Sequence, residues 1–175
     1  MEPILIDTKY FIDDRGIFYE SYKKSSMILH NICKDFVQDN HSTSKKNTIR
    51  GLHYQWDKPM DKLVRVSFGV IMDVVVDIRI NSKNYGKVYY YELSEQNLKQ
   101  LYIPSGFAHG FVALSDIAHV QYKCTNEYNS SGESGIDPLD KDLNINWNID
   151  INRAIISNKD LNAISFKKYS LNAKF

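Results

Sequence analysis

Cysteine is scarce in this sequence. The chain contains two, Cys33 and Cys124, which lie far apart and belong to no C-x-x-C pair. A disulfide scaffold needs several cysteines and a zinc knot needs closely spaced ones, so the sequence excludes both classes of small protein. We expect both cysteines to be buried free thiols.

An excess of either charge is also absent. The 22 Lys and Arg residues balance the 21 Asp and Glu residues, which leaves a formal net charge of +1, and the basic residues are scattered along the chain. Such a protein has no overall field that would attract DNA, RNA or an acidic membrane surface. We therefore expect no nucleic-acid partner.

Long hydrophobic runs are missing as well. The most apolar stretch, residues 68–80, contains Asp73, Asp77 and Arg79, a density of charge that no membrane-spanning helix carries. The first ten residues lack the basic segment and the apolar stretch of an export signal. The sequence therefore predicts no membrane partner and a cytoplasmic location.

Familiar cofactor motifs do not occur either. The sequence has neither of the glycine-rich phosphate motifs, G-x-G-x-x-G or G-x-x-x-x-G-K-[ST], and no His-x-His pair. Its five histidines are isolated from one another, whereas jelly rolls that bind a metal typically present closely spaced ligands. We expect no cofactor and no bound metal, and a phosphate group would have to be held by Arg and Lys side chains.

The sequence does contain many short apolar segments rich in Tyr, Val and Ile, a pattern typical of strands. Its 175 residues, 43% of them hydrophobic, correspond to a single domain, residues 1–175. The predicted strands are residues 4–11, 36–40, 48–55, 63–68, 74–80, 88–93, 100–103, 110–114 and 119–125. Only residues 25–32 have apolar spacing that suits a short helix.

The clearest predicted strand is residues 74–80. Val74 and Val76 alternate there with Val75 and Asp77, which predicts that one side of the strand faces a core. So many short strands with so little helix favour two facing antiparallel sheets. The predicted fold class is mostly β, a jelly roll or related barrel whose interior can hold a small ligand.

Polar and ionisable residues interrupt four of these apolar segments, and a buried polar group needs a partner or a task. The four segments are residues 50–55, 62–65, 104–111 and 122–128. Each also has an ordinary structural interpretation. A lone histidine such as His53 is more often a hydrogen-bonded core residue than a catalyst, and Lys62 with Arg65 could form a solvated face.

Seven strings in a fixed order carry a resemblance to a known family. They are FIDDRGIFYE at residues 11–20, FVQDNHS at 36–42, RGLHYQ at 50–55, KLVRV at 62–66, DVVVDIR at 73–79, IPSGFAHGF at 103–111 and SNKD at 157–160. With this order and spacing, the chain resembles the dTDP-4-dehydrorhamnose 3,5-epimerase family of dTDP-rhamnose synthesis over nearly its full length.

The resemblance implies a cupin-type jelly roll, or double-stranded β-helix, with a few short helices. It also implies a homodimer that exchanges an N-terminal strand, and metal-free epimerisation at C3 and C5 of a dTDP-4-keto-6-deoxyhexose substrate. By the resemblance, His53 is the base and Asp160 its acidic partner. Lys62 is the cation near the C4 oxygen, and Tyr122 is the acid on the opposite face of the sugar.

The resemblance also assigns substrate-binding residues. Tyr128 matches an aromatic that stacks on thymine, and Arg15, Arg50 and Lys159 match residues near the diphosphate. The remaining matches are Glu20, Gln38, Asp39, Asn40, His109 and Glu133. The chain departs from the family in the shorter loop at residues 56–61, in the lack of a tryptophan after Glu133 and in Asn148 after Trp147, so substrate identity stays open.

Three alternatives therefore stay open beside the double epimerase. The first is a single-centre C3 or C5 epimerase acting on another nucleotide sugar, for example a GDP-4-keto-heptose. The second is a sugar-nucleotide 3,4-ketoisomerase, which would return the proton to oxygen. The third is a non-catalytic sugar or nucleotide binding module, which would not require a paired His53 and Asp160.

Overall fold

The computed structural model describes all 175 residues. The strands are β1 Ile4–Ile6, β2 Tyr10–Asp13, β3 Gly16–Tyr19, β4 Gln38–Lys45, β5 Thr48–Gln55, β6 Lys62–Phe68, β7 Val70–Asp77, β8 Val88–Ser94, β9 Gln100–Ile103, β10 Phe107–Ala113, β11 Ile117–Cys124, β12 Glu133–Gly135 and β13 Ile155–Ile156. The helices are α1 Lys24–Ile28, α2 Asn158–Leu161 and α3 Phe166–Ser170, and a 3-10 turn spans Ile151–Arg153. The mostly β fold class with a few short helices is confirmed. None of these helices has the length and apolar character that a membrane-spanning helix requires.

Two sheets face each other. The first has five strands in the order β1-β9-β6-β11-β4, and the second has the order β12-β5-β10-β7-β8 with β13 beside β5. Apolar side chains from both sheets fill the space between them, including Val64 and Val120 from the first and Val75 and Phe111 from the second. Strands that are distant in sequence become neighbours here, so side chains from several segments can meet in one interior.

The second sheet is buried on both of its faces. In β7, Val75 packs between the sheets, whereas Val74 and Val76 pack against a C-terminal layer that contains Trp147 and Tyr169. The predicted alternation is present, and a core covers the second side of this strand as well as the one side predicted to face a core. The second cover comes from irregular C-terminal segments, which a strand pattern alone does not reveal.

Two predicted elements end earlier than expected. β7 stops at Asp77 because its carboxylate accepts hydrogen bonds from the Arg79 N–H at 3.0 Å and the Ser82 hydroxyl at 2.6 Å, which turns the chain. The helix predicted over residues 25–32 stops at Ile28, and Asn31 follows with a left-handed φ of 60°. Short polar side chains thus end both elements.

The N-terminal region also differs from its prediction. Residues 4–11 form two separate strands, of which β1 pairs with β9 of the same chain while β2 pairs only with β3. The β2–β3 hairpin carries apolar side chains that are more than half exposed, at Phe11, Ile12, Ile17 and Phe18. Cys33 is exposed, which contradicts the expectation of a buried thiol, whereas Cys124 is buried.

Tyr169 fastens the C-terminal layer to the second sheet, so we predict a stability loss for Tyr169→Phe. The buried hydroxyl donates to the Ile78 carbonyl at 2.8 Å and accepts from the Lys174 N–H at 3.2 Å. Its removal leaves the buried Ile78 carbonyl and the partly buried Lys174 N–H without this partner, and the free energy of unfolding should fall by about 1–3 kcal/mol in urea titrations. The matched control is Tyr10→Phe on the exposed hairpin, and equal stability losses in the two variants would contradict the assignment.

Candidate active site

A bulge in β5 brings two of the predicted residues to one face of the strand. Arg50 and His53 are three residues apart, so they would point to opposite faces of a regular strand. The pairing with β10 leaves one extra residue in β5 between them. Gly51 permits this, because its φ is 112° and a Cβ there would lie 2.6 Å from the Cα of Gly110.

His53 forms a close pair with Asp160 of helix α2. The Nε2 atom of His53 lies 2.7 Å from Oδ1 of Asp160, and the aspartate side chain is 6% exposed while the imidazole is 30% exposed. An ionised carboxylate can only accept, so the contact places the imidazole proton on Nε2. Nδ1 is then the ring atom with a free lone pair.

Asp160 is itself held in place. Its Oδ2 accepts from the Gly51 N–H at 3.3 Å, and its own N–H donates at 3.1 Å to the hydroxyl of Ser157, the cap of α2. Burial acts to raise the pKa of Asp160, but His53, Gly51 and Ser157 together lower it more, and the net shift is downward. The carboxyl is therefore an anion at neutral pH and a stable acceptor for the imidazole.

Lys62 supplies an unpaired cation. It is the first residue of β6, and its ammonium makes no hydrogen bond or ion pair within the chain; Nζ lies 5.8 Å from the centre of the Tyr122 ring. Burial lowers the pKa of Lys62, and the neighbouring Cys124 and Asp73 oppose the shift. A cation without a partner is available to stabilise negative charge on a ligand.

Tyr122 faces His53 from the opposite sheet. It belongs to β11 of the five-stranded sheet, whereas His53 belongs to β5 of the second sheet. Burial raises the pKa of the Tyr122 hydroxyl, Cys124 and Glu133 raise it further, and Arg50 opposes them. The hydroxyl is therefore protonated at neutral pH and can act as a proton donor.

These side chains share one cavity of about 140 Å³. It is lined by Gln38, Asn40, His53, Tyr54, Gln55, Met60, Lys62, Tyr122, Cys124, Tyr128 and Glu133. The resemblance assigned seven of these: His53, Lys62, Tyr122, Gln38, Asn40, Tyr128 and Glu133. Asp160 stands directly behind the imidazole, so the structure brings all four predicted catalytic side chains together.

His109 closes the back of the cavity. It lies opposite His53 in the pairing of β10 with β5, and a small recess lined by His53, Lys62 and His109 adjoins the main space. Its Nε2 lies 2.9 Å from Oδ2 of Asp73, and both side chains are buried. Burial lowers the pKa of His109 and raises the pKa of Asp73, which is the response expected of a pair far from water.

Amide side chains organise one part of the rim. The Tyr128 N–H donates to Oε1 of Gln38 at 2.8 Å, and Nε2 of Gln38 donates to Oδ1 of Asn40 at 3.0 Å. Nδ2 of Asn40 in turn donates to the Cys124 sulfur at 3.5 Å. This chain of contacts fixes an aromatic ring and two amide groups side by side at the mouth.

Glu133 joins two further rim residues. Its Oε2 accepts from the Tyr128 hydroxyl at 3.0 Å and from Nζ of Lys159 at 2.5 Å. These hydrogen bonds raise the pKa of both donors. Arg50 lies on the Tyr122 side, where it donates to the Ser44 hydroxyl at 3.0 Å. The rim thus carries two cations, Lys159 and Arg50.

Three predicted substrate-binding residues lie away from the cavity of the single chain. Arg15 sits at the turn of the β2–β3 hairpin with a side chain that is 90% exposed, and Glu20 lies just beyond the same hairpin. Asp39 points to the opposite face of β4 from Asn40, where it pairs with Lys123 at 2.9 Å and lines an outer cleft of about 370 Å³. The roles of these three residues stay predictions.

Six residues that line or support the site were not assigned from the sequence: Tyr54, Gln55, Met60, Asp73, Cys124 and Ser157. The strand alternation could have found Cys124, since it is two residues after Tyr122, and Gln55, since it is two residues after His53. Ser157 precedes Asp160 by three residues, which is the spacing of a helix cap. No three His, Cys, Asp or Glu side chains converge as a group that could hold a metal ion.

The arrangement suits proton transfer at a carbon beside a carbonyl group. A base with a fixed tautomer enters from one sheet, and a phenol enters from the other. An unpaired ammonium lies beside the phenol, where it can stabilise the enolate oxygen. A small molecule held between the two sheets would have an acid and a base on opposite faces.

Comparison with known proteins agrees with this chemistry. A family model described as dTDP-4-dehydrorhamnose 3,5-epimerase matches residues 1–168. The chain belongs to the dTDP-4-dehydrorhamnose 3,5-epimerase family. The curated enzyme of that name from Escherichia coli K12 is 47% identical over 148 residues, which cover 83% of this chain and 80% of the relative.

Two further relatives extend the comparison to nearly the whole fold. The dTDP-4-dehydrorhamnose 3,5-epimerase of Methanothermobacter thermautotrophicus is 44% identical over 160 residues, covering 91% of this chain and 86% of the relative. A crystal structure of a dTDP-6-deoxy-D-glucose-3,5-epimerase from Legionella pneumophila, in complex with dTDP-4-keto-L-rhamnose, has a TM-score of 0.91 and 42% identity, covering 94% and 88% of the two chains. The predicted family and the cupin-type jelly roll are confirmed.

The lowered pKa of Asp160 predicts a pH-dependent contribution to stability. A carboxyl whose folded pKa lies below its unfolded value, about 3.9, stabilises the fold above that value and loses the contribution as the pH falls through the folded pKa. Asp160→Asn should therefore lower the free energy of unfolding at pH 7, and the difference from wild type should shrink as the pH falls below about 4. Urea titrations across this pH range measure it.

The control for this experiment is Asp116→Asn, because the Asp116 side chain is 93% exposed. Its free energy of unfolding should follow that of the wild type at each pH. A loss in Asp160→Asn that stays constant from pH 7 to the acid range would contradict the assignment.

Proposed function

We propose that this protein is an epimerase that inverts C3 and C5 of dTDP-4-dehydro-6-deoxy-D-glucose and yields dTDP-4-dehydro-L-rhamnose. The observation that carries the proposal is the meeting of the His53–Asp160 pair, Lys62 and Tyr122 in one cavity. Both carbons adjoin the C4 ketone, so one set of groups can serve both inversions. A cytoplasmic location is part of the same proposal.

In this proposal His53 removes the proton from carbon. Its Nε2–H is occupied by Asp160, so Nδ1 receives the proton and the imidazolium that forms is stabilised by the adjacent carboxylate. The Ser157 cap and the Gly51 N–H keep that carboxylate in place. The pair therefore supplies both the orientation of the base and compensation for its new charge.

Lys62 and Tyr122 complete the reaction. The ammonium of Lys62 stabilises the enolate oxygen at C4, because no carboxylate in the chain already neutralises it. Tyr122, with its hydroxyl kept protonated by burial, returns a proton from the sheet opposite His53. Removal from one face and return to the other inverts the carbon, whereas return by the same group would only exchange its hydrogen.

The nucleotide is proposed to lie across the rim. A space of about 140 Å³ is below the roughly 300–1,000 Å³ of sites that enclose a drug-sized ligand, so it suits the sugar ring alone. Tyr128 offers a ring for the base to stack on, and its neighbours Gln38 and Asn40 offer amide groups. Lys159 and Arg50 supply cations for the diphosphate.

The site is proposed to be completed by a second copy of the chain in a homodimer. β1 already pairs within its own chain, so the β2–β3 hairpin is the part of the N-terminus that is free to be exchanged. Its exposed apolar side chains favour burial against another surface. Exchange would bring Arg15 and Glu20 of one copy to the cavity of its partner.

Proton NMR in deuterium oxide with the dTDP-4-keto substrate tests the reaction. Wild type should incorporate deuterium at C3 and C5 with inversion at both. Tyr122→Phe should still exchange some substrate hydrogen but form no inverted product, because the base remains while the opposite donor is lost. His53→Asn should lose both exchange and inversion, by roughly a hundredfold or more.

Each alternative gives a different spectrum. Incorporation at a single carbon would replace the proposal with a single-centre epimerase, and appearance of a 3-keto sugar would replace it with a ketoisomerase. Binding of dTDP without any exchange would indicate a binding module. Turnover of a GDP-4-keto sugar in preference to the dTDP sugar would correct the proposed base, and unchanged inversion by Tyr122→Phe would remove its assigned role.

Subunit mixing tests the shared site. Arg15→Ala and His53→Ala should each be nearly inactive alone, because each lacks one component of both sites. When the two are co-expressed, half of the dimers are hybrids with one intact site, so activity should rise to roughly one quarter of wild type. Hybrid dimers that form without any recovery of activity would contradict the exchange.

A further inference from the structure

Asp61 is a buried carboxylate immediately before Lys62 that no step of the proposed reaction uses. Its side chain is 1% exposed. It accepts from the Tyr102 hydroxyl of β9, from the Ser105 N–H at 2.8 Å and from the Lys34 ammonium at 2.9 Å. Burial of a carboxylate is unfavourable unless it is well partnered, so these three donors, two from residues 102–105 and one from Lys34, are needed to keep Asp61 in place.

The backbone of Asp61 is tied to the end of β11. Its N–H donates to the Thr125 hydroxyl at 2.8 Å, and its carbonyl accepts from the Thr125 N–H at 3.1 Å. Lys62 lies opposite Cys124 in the pairing of β6 with β11. The contacts between Asp61 and Thr125 therefore continue this pairing by one residue beyond Lys62.

Lys62 pairs with Cys124 of β11 on one side and with Ile103 of β9 on the other, and the contacts of Asp61 hold the segment that leads into this pairing. Lys62 is the first residue of β6 and follows the loop at residues 56–61. Local opening of a fold tends to begin at the ends of its strands. Its ammonium has no hydrogen bond or ion pair that would fix its position. The location of the charge is consequently set by the backbone at residues 61 and 62.

We infer that Asp61 is a positioning residue for Lys62. Asp61 directly precedes β6 and does not line the cavity; its side chain is enclosed by Tyr102, Ser105 and Lys34, so it acts without contact to the substrate. Its carboxylate clamps β6 to Tyr102, Ser105 and Lys34, and this clamp holds the ammonium where the enolate oxygen forms. The inference rests on the proposed function.

Asp61→Asn tests the clamp with almost no change in size. The amide has no charge for Lys34. If its NH₂ group takes the place of Oδ1, it meets the Ser105 N–H, which can only donate; if it takes the place of Oδ2, it can donate to the Tyr102 hydroxyl, but the hydroxyl then loses its acceptor. We expect kcat to fall roughly tenfold or more, because a small displacement of a catalytic group slows the chemical step strongly. KM and the affinity for dTDP, measured by calorimetry, should stay within about twofold.

A double-mutant cycle with Lys62→Met separates positioning from general destabilisation. If Asp61 acts through the ammonium, Asp61→Asn should change the rate by less than about twofold once Lys62 is methionine. The rate is followed as deuterium incorporation by NMR, which remains measurable in slow variants. A tenfold loss that persists in the Lys62→Met background would overturn the inference.

Two further variants serve as a control and as a second test of the positioning role. Asp35→Asn removes a carboxylate from an exposed ion pair with Lys24 and should leave kcat unchanged. Tyr102→Phe removes one donor and keeps the carboxylate, so kcat should fall less than in Asp61→Asn. This smaller loss should also disappear in the Lys62→Met background. The Tyr102→Phe variant therefore provides the test if Asp61→Asn does not fold. An inactive wild type would refute the proposed function, whereas an active wild type with unchanged kcat in Asp61→Asn would refute only the positioning role.

Discussion

The hydrogen bond between His53 and Asp160 is the contact on which the rest of the site depends. It joins residues 107 positions apart, and it defines which imidazole nitrogen carries the proton. Contacts from separate parts of the chain hold this pair in place. The bulge at Gly51 turns the imidazole inward and offers an N–H to the carboxylate, while the Ser157 cap orients the short helix that carries Asp160.

The cations of the site are held in two different ways. Lys159 at the rim is already paired with Glu133, so an anionic ligand must compete with a carboxylate for it. Lys62 in the interior has no such competitor, and the protein bears the cost of partly burying an unpaired charge. The distinction matches the proposed chemistry, because diphosphate binding is reversible whereas the enolate exists only during the reaction.

Local patterns predicted strands better than they predicted contacts. The bounds of β5 and β9 were predicted correctly, because alternation and flanking turn residues are local properties. Nothing local marks Asp160 as the partner of His53, and only the family resemblance pointed to it. Asp39 is a different case, since its alternation with Gln38 and Asn40 already indicated the opposite face of β4. Asp61 stood in a loop with no periodicity, and its burial depends on Tyr102 and Lys34 from distant segments.

The burial of the second sheet on both faces makes the two halves of the pocket unequal. Most side chains on β5 and β7 are enclosed, whichever face they point to, so the wall that carries His53 has few positions open to change without repacking. The opposite wall, around β4 and β11, has one face next to solvent and an open cleft behind it. Substitutions that alter which sugar or base fits are therefore easier to accommodate on that solvent-backed wall than on the wall that carries His53, the proposed base.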